Sequence, residues 1–324
     1  MATDTDRVTF GVGWGLRLSA SRDVELSVLA EELGLDGVWP GEHPTARFAG
    51  YEPHIVLTYI AAKTERIKLG TAAYLLPLSH PVRLAKQLMT LDHLSNGRVI
   101  LGAGSGGEMP KQYADFGIDV EERGPRTNEY IQLLRALWGE SPSDFHGRFF
   151  DLEQVTMEPK PVQGSIPIWI CGRPGGMEMG PDGQPRRKSR TASIRRAGMY
   201  GDGWMPYYMS PESYRASVEQ VRAVATEEGR DPSKLAMGLN CFMFIDDSYG
   251  AALERAYGPR SAPPIGRERV EQYDFLGTAK ELVPRIEQYI DAGCRHFVCK
   301  LETTPEQVAT HMEYLAKEVV PHFR

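Results

Sequence analysis

Short β-rich runs alternate with amphipathic helices along all 324 residues, and this alternation predicts an α/β chain folded as one (β/α)8 TIM barrel over 1–324, with insertions after strands 4, 5 and 7. Two further observations support a closed barrel. Parallel neighbouring strands need crossover helices, and eight strand–helix units over about 300 residues fit a barrel better than an open sheet. No Pro-, Gly- or Ser-rich linker divides the chain into two units.

The elements follow in order. Residues 8–14 read as the first strand, and 23–33 as a helix with Leu26, Leu29 and Leu33 on one face. Residues 37–39 form a short second strand, 55–64 a helix, and 67–76 a third strand. Pro81 opens the next helix where its missing N–H costs nothing, with Val82, Ala85 and Met89 on one stripe. Strand four is 99–101, a long helix covers 127–138, and the Pro-, Gly- and aromatic-rich segment 141–163 is an excursion. Strand five is 167–171 and strand six 203–206. Ser210-Pro211-Glu212 starts a helix with a good cap, and Tyr214, Val218, Val221 and Ala225 form its stripe. Strand seven is 235–245. Thr278-Ala279-Lys280-Glu281 is a capping box for a helix reaching 292. Strand eight is 295–301, and a last helix begins at Thr304-Pro305-Glu306, with Val308, Met312, Leu315 and Val319 in register. Segments 172–190 and 246–273 are too long for barrel loops and read as lids or binding loops.

Composition narrows the function. Hydrophobic residues at 41% supply a core, and a net charge of −6 gives no reason to expect nucleic acid or an anionic membrane as partner. No run approaches eighteen apolar residues, so no membrane span is expected. The polar, acidic N-terminus has no secretory pattern, which predicts a cytoplasmic location. Cys171, Cys241, Cys294 and Cys299 form no C-x-x-C pair and read as small buried hydrophobes. Trp14-Gly15-Leu16 stands where a metal-dependent barrel hydrolase would carry H-x-H, so no metal site is expected.

In such barrels chemistry sits where strands run into βα loops. Those positions hold Glu42-His43 after strand two, Thr71-Ala72-Ala73 after strand three and the glycine-rich 102–108 after strand four. Gly172-Arg173 follow strand five, Trp204 lies on strand six, Asn240 interrupts strand seven and Lys300 ends strand eight. Small residues, one His and one Trp suit a broad, flat ligand approached closely by backbone. Between 171 and 196 there are seven basic residues, including Arg173, Arg187 and Lys188, against two acidic ones. Such a run is either a solvated surface or an anion site.

Four motifs carry a resemblance. Leu69-Gly70-Thr71-Ala72-Ala73, His80-Pro81-Val82-Arg83-Leu84-Ala85-Lys86-Gln87, Leu91-Asp92-His93-Leu94-Ser95-Asn96-Gly97-Arg98 and Leu101-Gly102-Ala103-Gly104-Ser105-Gly106 resemble the bacterial luciferase-like superfamily. Ile168-Trp169-Ile170-Cys171-Gly172 and Ala197-Gly198-Met199-Tyr200-Gly201-Asp202-Gly203-Trp204 follow in the expected order, and the similarity spans about 8–320.

The resemblance implies a flavin or deazaflavin oxidoreductase. It places a bulge, often with a non-prolyl cis peptide, at Ala72–Ala73 to prop the ring, with Thr71 beside it. Gly104, Ser105 and Gly106 would let backbone approach the ring or its ribityl chain. Gly172, Arg173, Arg187, Lys188 and Ser193 would take the cofactor phosphate, and Trp204 would flank the cofactor or lie in the core. His43 is the expected proton shuttle, with Glu42 orienting it and Glu108 a second acid.

Two cofactors fit. The Gly201-Asp202-Gly203-Trp204 stretch resembles members that use the deazaflavin F420 for hydride transfer, and the basic loop would suit that cofactor's anionic tail; Glu42-His43 resembles FMN members, which oxygenate with reduced flavin from a partner reductase. F420 is the favoured expectation, FMN the alternative, and a non-catalytic flavin-binding barrel a third. A small-molecule substrate is expected, with Trp14, Tyr51, Tyr74, Tyr207 and Tyr208 as candidates for an aromatic pocket. The resemblance also implies a homodimer.

Overall fold

The computed structural model describes residues 7–13, 18–45, 50–107, 109–175, 177–179, 185–187, 191–257 and 267–324. Eight parallel strands close into a barrel: β1 (Thr9–Gly13), β2 (Gly37–Val38), β3 (Lys68–Gly70), β4 (Val99–Gly104), β5 (Ile168–Cys171), β6 (Gly203–Met205), β7 (Ala236–Ile245) and β8 (His296–Leu301). Each pairs with the next, and β8 returns to β1 with Thr9 opposite His296 and Gly13 opposite Lys300.

Helices α1 (Ala20–Glu32), α2 (Pro53–Ala61), α3 (Pro81–Leu94), α4 (Pro110–Asp115), α5 (Arg123–Trp138), α6 (Ala192–Tyr200), α7 (Pro211–Glu227), α8 (Tyr249–Tyr257), α9 (Arg267–Tyr273), α10 (Ala279–Asp291) and α11 (Val308–Tyr314) follow the strands. The expected starts hold at Pro81, at Ser210, whose hydroxyl accepts from Ser213 N, and at Thr278, which forms the capping box with Glu281.

The inside of the barrel is packed. Trp39 stacks on Trp169 at 5.2 Å between ring centres. Gly11, Gly37 and Gly70 make room for that indole: a Cβ on any of them would lie within 2.1–2.7 Å of Trp39 atoms. On the other face of the strands, residues such as Phe10, Leu69, Leu101 and Phe297 are fully buried in the main core.

The motif at 91–98 is a structural clasp. Buried Arg98 donates to the carbonyls of Ala61, Thr64, Ile67 and Ser95 and to the Thr64 hydroxyl, tying the end of α2 to the starts of β3 and β4. Buried Asp92 accepts from the backbone N–H and side-chain amide of Gln163.

The structure differs from the sequence expectation in four places. Strand three is not continuous over 67–76; it breaks after Gly70, and Tyr74–Leu75 resumes against Ala103 and Gly104. The segment 246–273, read from sequence as a long loop, holds α8 and α9, whose apolar faces pack with Leu276 of an extra strand, Phe275–Gly277, on the end of β7. The last helix starts at Val308 rather than at Thr304: Gln307 stands at its N-cap without a capping bond, because its side-chain oxygen accepts from the Thr303 and Thr304 hydroxyls instead. The insertions after β4 and β5 each carry a two-stranded hairpin, Ser143–His146 with Asp151–Val155 and Met177–Met179 with Pro185–Arg187.

Candidate active site

The C-terminal ends of β2 to β7 open onto one cavity of about 1090 Å³, large enough for a flavin-sized ligand together with a small substrate. Its floor is the break in strand three. The Ala72–Ala73 peptide is cis and non-prolyl, where the sequence resemblance placed it. Ala72 N–H donates to the Pro40 carbonyl and Glu42 N–H to the Ala73 carbonyl, both near 3 Å, which locks the bulge to the loop after β2. Opposite it, the β4 turn offers bare backbone: a Cβ on Gly104 would meet the Ala73 methyl at 3.0 Å, and Gly106 takes φ +55.

Glu42 and His43 line the cavity beside this bulge. Burial pushes the Glu42 carboxyl up to about 8, against a 2.7 Å hydrogen bond from Leu75 N–H, and the charge of Glu52 adds to the rise. Glu42 is therefore mainly protonated at neutral pH. Cys171 also borders the cavity; burial pushes its thiol up to about 12, so it stays a neutral thiol. Lys300 is buried at the barrel mouth, with Nζ donating to the Trp39 carbonyl at 3.1 Å, and burial pulls it down to about 8.

A second wall is cationic. Ser193, at the start of α6, faces the cavity with Arg123 from α5 and Arg196 from α6. Arg196 is 5% exposed and donates to Asn128 Oδ1 at 2.6 Å and to the Gly124 carbonyl at 3.1 Å. Among the described residues no carboxylate pairs with it. A buried guanidinium with no carboxylate partner among the described residues and the N–H groups at the start of a helix are both able to meet an anion. Arg123 packs on Gly107, where a Cβ would lie 2.6 Å from Arg123 Nε and where φ is +114. The third wall is aromatic: Tyr208 stacks on Phe242 at 4.5 Å and 8°, Tyr207 meets Tyr208 edge-on, and Arg173 lies 5.6 Å over the Tyr207 ring. Tyr208 holds φ +49, a left-handed conformation that costs roughly 1–3 kcal/mol for such a residue and tends to cluster at functional sites.

Glu42, His43, Ala72, Ala73, Gly104, Ser105, Gly106, Gly172, Arg173 and Ser193 thus meet in one cavity. Thr71 and Trp204 do not. The buried Thr71 hydroxyl both donates to the Gly102 carbonyl and accepts from its N–H, at 3.0 Å each, clamping β3 to β4. Trp204 is fully buried, stacks on Tyr214 and donates to the Gly172 carbonyl at 3.1 Å; it shapes the β5 loop from behind. Of the aromatic candidates, Tyr207 and Tyr208 reach the cavity, Tyr74 is buried behind it and Tyr51 is exposed.

Glu108, Lys188, Trp14 and the Arg187 side chain lie outside the described residues. Asp202, central to the motif resembling deazaflavin members, points away from the cavity, accepting from Ile168 N–H and Arg135 at the other end of β5. Reading the sequence missed Arg123, Phe242 and Met109, which nothing local marks; Arg196 was visible only as one more member of the basic run.

A profile of the luciferase-like monooxygenases matches residues 8–180 and 188–321. The chain belongs to this family. It is 34% identical to an F420-dependent glucose-6-phosphate dehydrogenase of Kineococcus radiotolerans, over 93% of this chain and 92% of that one. It is 23% identical to the oxygenase component of a flavin-dependent trigonelline monooxygenase of Acinetobacter baylyi, over 93% and 89%. Among solved structures, an F420-dependent secondary alcohol dehydrogenase with an F420–acetone adduct superposes with a TM-score of 0.79 at 21% identity over 98% of this chain and 99% of that one. The monooxygenase RslO1 of Streptomyces bottropensis reaches 0.80 at 23% identity over 98% and 100%, and both share the barrel.

This luciferase-like protein is an oxidoreductase of the flavin and deazaflavin type, with both F420- and FMN-dependent relatives. Among the described residues no helix is long and apolar enough to cross a membrane.

Proposed function

We propose that this enzyme uses F420 to transfer hydride to or from a small organic substrate, with Glu42 and His43 handling the accompanying proton. The observation that carries the proton handling is position: Glu42 and His43 stand on the cavity wall beside the Ala72–Ala73 bulge, where burial raises the Glu42 carboxyl to about 8. A bound deazaflavin would supply the hydride chemistry.

The chain's residues do the rest. The bulge and the Gly104–Gly106 backbone form a flat bed for a ring. Arg123, Arg196, Ser193 and the start of α6 would hold an anionic tail, which would offset the cost of a buried guanidinium that has no carboxylate partner among the described residues. Leu75 N–H occupies one Glu42 oxygen, leaving the other to carry the proton. Tyr207, Tyr208 and Phe242 wall the remaining space for substrate. The F420-dependent relative that matches 93% of the chain supports the choice of cofactor.

A second reading is FMN-dependent monooxygenation with reduced flavin from a partner reductase. The Glu42-His43 pair and the flavin-dependent relative favour it. Fluorescence titration with F420 and with FMN separates the two. Tight binding of F420 alone supports hydride transfer, FMN alone reverses the assignment, and binding of neither leaves a non-catalytic barrel.

The same reading takes the enzyme as a cytoplasmic homodimer. Ile55 and Tyr59 on α2, 71% and 54% exposed, support a self-association face. Sedimentation of wild type against Ile55→Lys tests it: a dimer that the variant splits supports this face, and a monomeric wild type removes it.

A further inference from the structure

Asn240 interrupts the otherwise apolar strand β7, Ala236–Ile245. The strand alternates. Leu239, Cys241 and Met243 join the main core, while Ala236, Gly238, Asn240 and Phe242 face the barrel interior. Of the inward four, Asn240 and Phe242 reach the cavity.

The backbone at Asn240 is satisfied. Its N–H donates to the Pro206 carbonyl at 2.8 Å, and it pairs in register with Val298 of β8. The side chain is not. Asn240 Oδ1 is buried and has no hydrogen-bond partner among the described residues. A buried amide oxygen left unpaired is costly, and a position that served only to pack would be better filled by leucine, which has nearly the same shape and nothing to pair.

Its place in the barrel says which ligand it meets. β7 stands across the barrel from β3, four strands away in either direction. The Ala72–Ala73 bulge that beds the ring follows β3, and the cationic wall for the tail belongs to α5 and α6. Asn240 is in register with Tyr207 and lies two residues before Phe242 on the same face, so it belongs to the aromatic wall left for substrate.

We infer that Asn240 is a specificity-determining residue that reads a hydroxyl of the substrate, so that the cavity selects an alcohol over the matching hydrocarbon. The inference rests on the reading of the cavity as a flavin or deazaflavin site with the ring on the bulge. A hydroxyl both donates and accepts, so it meets the amide whichever way the side chain is turned. A ligand with a methyl group in its place would seal Oδ1 in unpaired. Sites built to bond a hydroxyl reject the analogue lacking it far more strongly than an apolar pocket rejects an added methylene.

The test uses two probes of matched shape, 4-fluorophenol and 4-fluorotoluene, with binding followed by fluorine NMR at saturating F420 or FMN. Wild type prefers the phenol, and Asn240→Leu lowers that preference by about tenfold or more. The same preference in both proteins, or none in wild type, overturns the inference. Asn240→Leu melts at or above the wild-type temperature, because it removes an unpaired polar atom. A melting temperature several degrees lower gives Asn240 a structural bond and overturns the inference. The variant binds F420 and FMN with wild-type dissociation constants. A tenfold loss makes Asn240 a contact of the ring and overturns its assignment to substrate. Failure of both cofactors to bind wild type counts against the functional assignment. The probe preference is then read in the unliganded protein, where its loss in Asn240→Leu supports the hydroxyl site and its persistence overturns it.

Discussion

Replacing Glu42 by Gln should change how stability depends on pH, and the structure sets both sign and size. In the unfolded chain the carboxyl titrates near 4.5; in the fold, burial lifts it to about 8. Between these values the native state holds a proton that the unfolded state has lost, so wild-type stability falls as pH rises through this window. Below about pH 4.5 both states are protonated and nothing is lost; above about 8 the full penalty of a buried carboxylate is present. At roughly 1.4 kcal/mol per pKa unit that penalty is on the order of 5 kcal/mol. Gln fills the same space, can accept from Leu75 N–H and does not titrate.

The stability of Glu42→Gln relative to wild type should therefore climb between pH 5 and 8 and level off at about pH 9. Urea unfolding of both proteins across that range measures it. Groups not coupled to Glu42, such as Asp274, which burial also raises to about 8, cancel in the difference. A difference that stays flat with pH would refute the argument that Glu42 is buried and protonated in the fold.

Three further outcomes follow. Arg196→Met should weaken binding of the anionic cofactor by about tenfold or more, since a hydrogen-bonded charge contact is worth roughly 1.5–3 kcal/mol, and should flatten its salt dependence; an unchanged dissociation constant by fluorescence titration would take Arg196 out of the site. Gly102→Ala should be strongly destabilised, because its Cβ would fall 1.7 Å from the Thr71 carbonyl, and a melting temperature equal to wild type would contradict the close β3–β4 approach. His43→Ala should keep cofactor affinity while turnover of a confirmed substrate drops by about 10²-fold or more; full turnover would remove it from the chemistry.

Local pattern in the chain determined the barrel. Alternation of strand and helix, Pro81 at a helix start, the Thr278–Glu281 box and the small-residue break at Ala72-Ala73 are written within a few residues each, and the structure carries all of them. The same locality explains the misses. Thr71 and Trp204 stand at strand ends like the residues that line the cavity, and only the packing of β3 on β4 and of α7 on β6 turns their side chains away from it. Asp202 looked like part of a cofactor motif, but the strand register places it at the opposite end of the barrel. Arg123 and Arg196 are far apart in sequence and meet because α5 and α6 pack side by side on the barrel. The protonation of Glu42 was likewise a decision of the tertiary structure. An acid's pKa depends on the water it loses and the groups brought near it, and both are set by residues outside its own strand end, here Leu75 and Glu52.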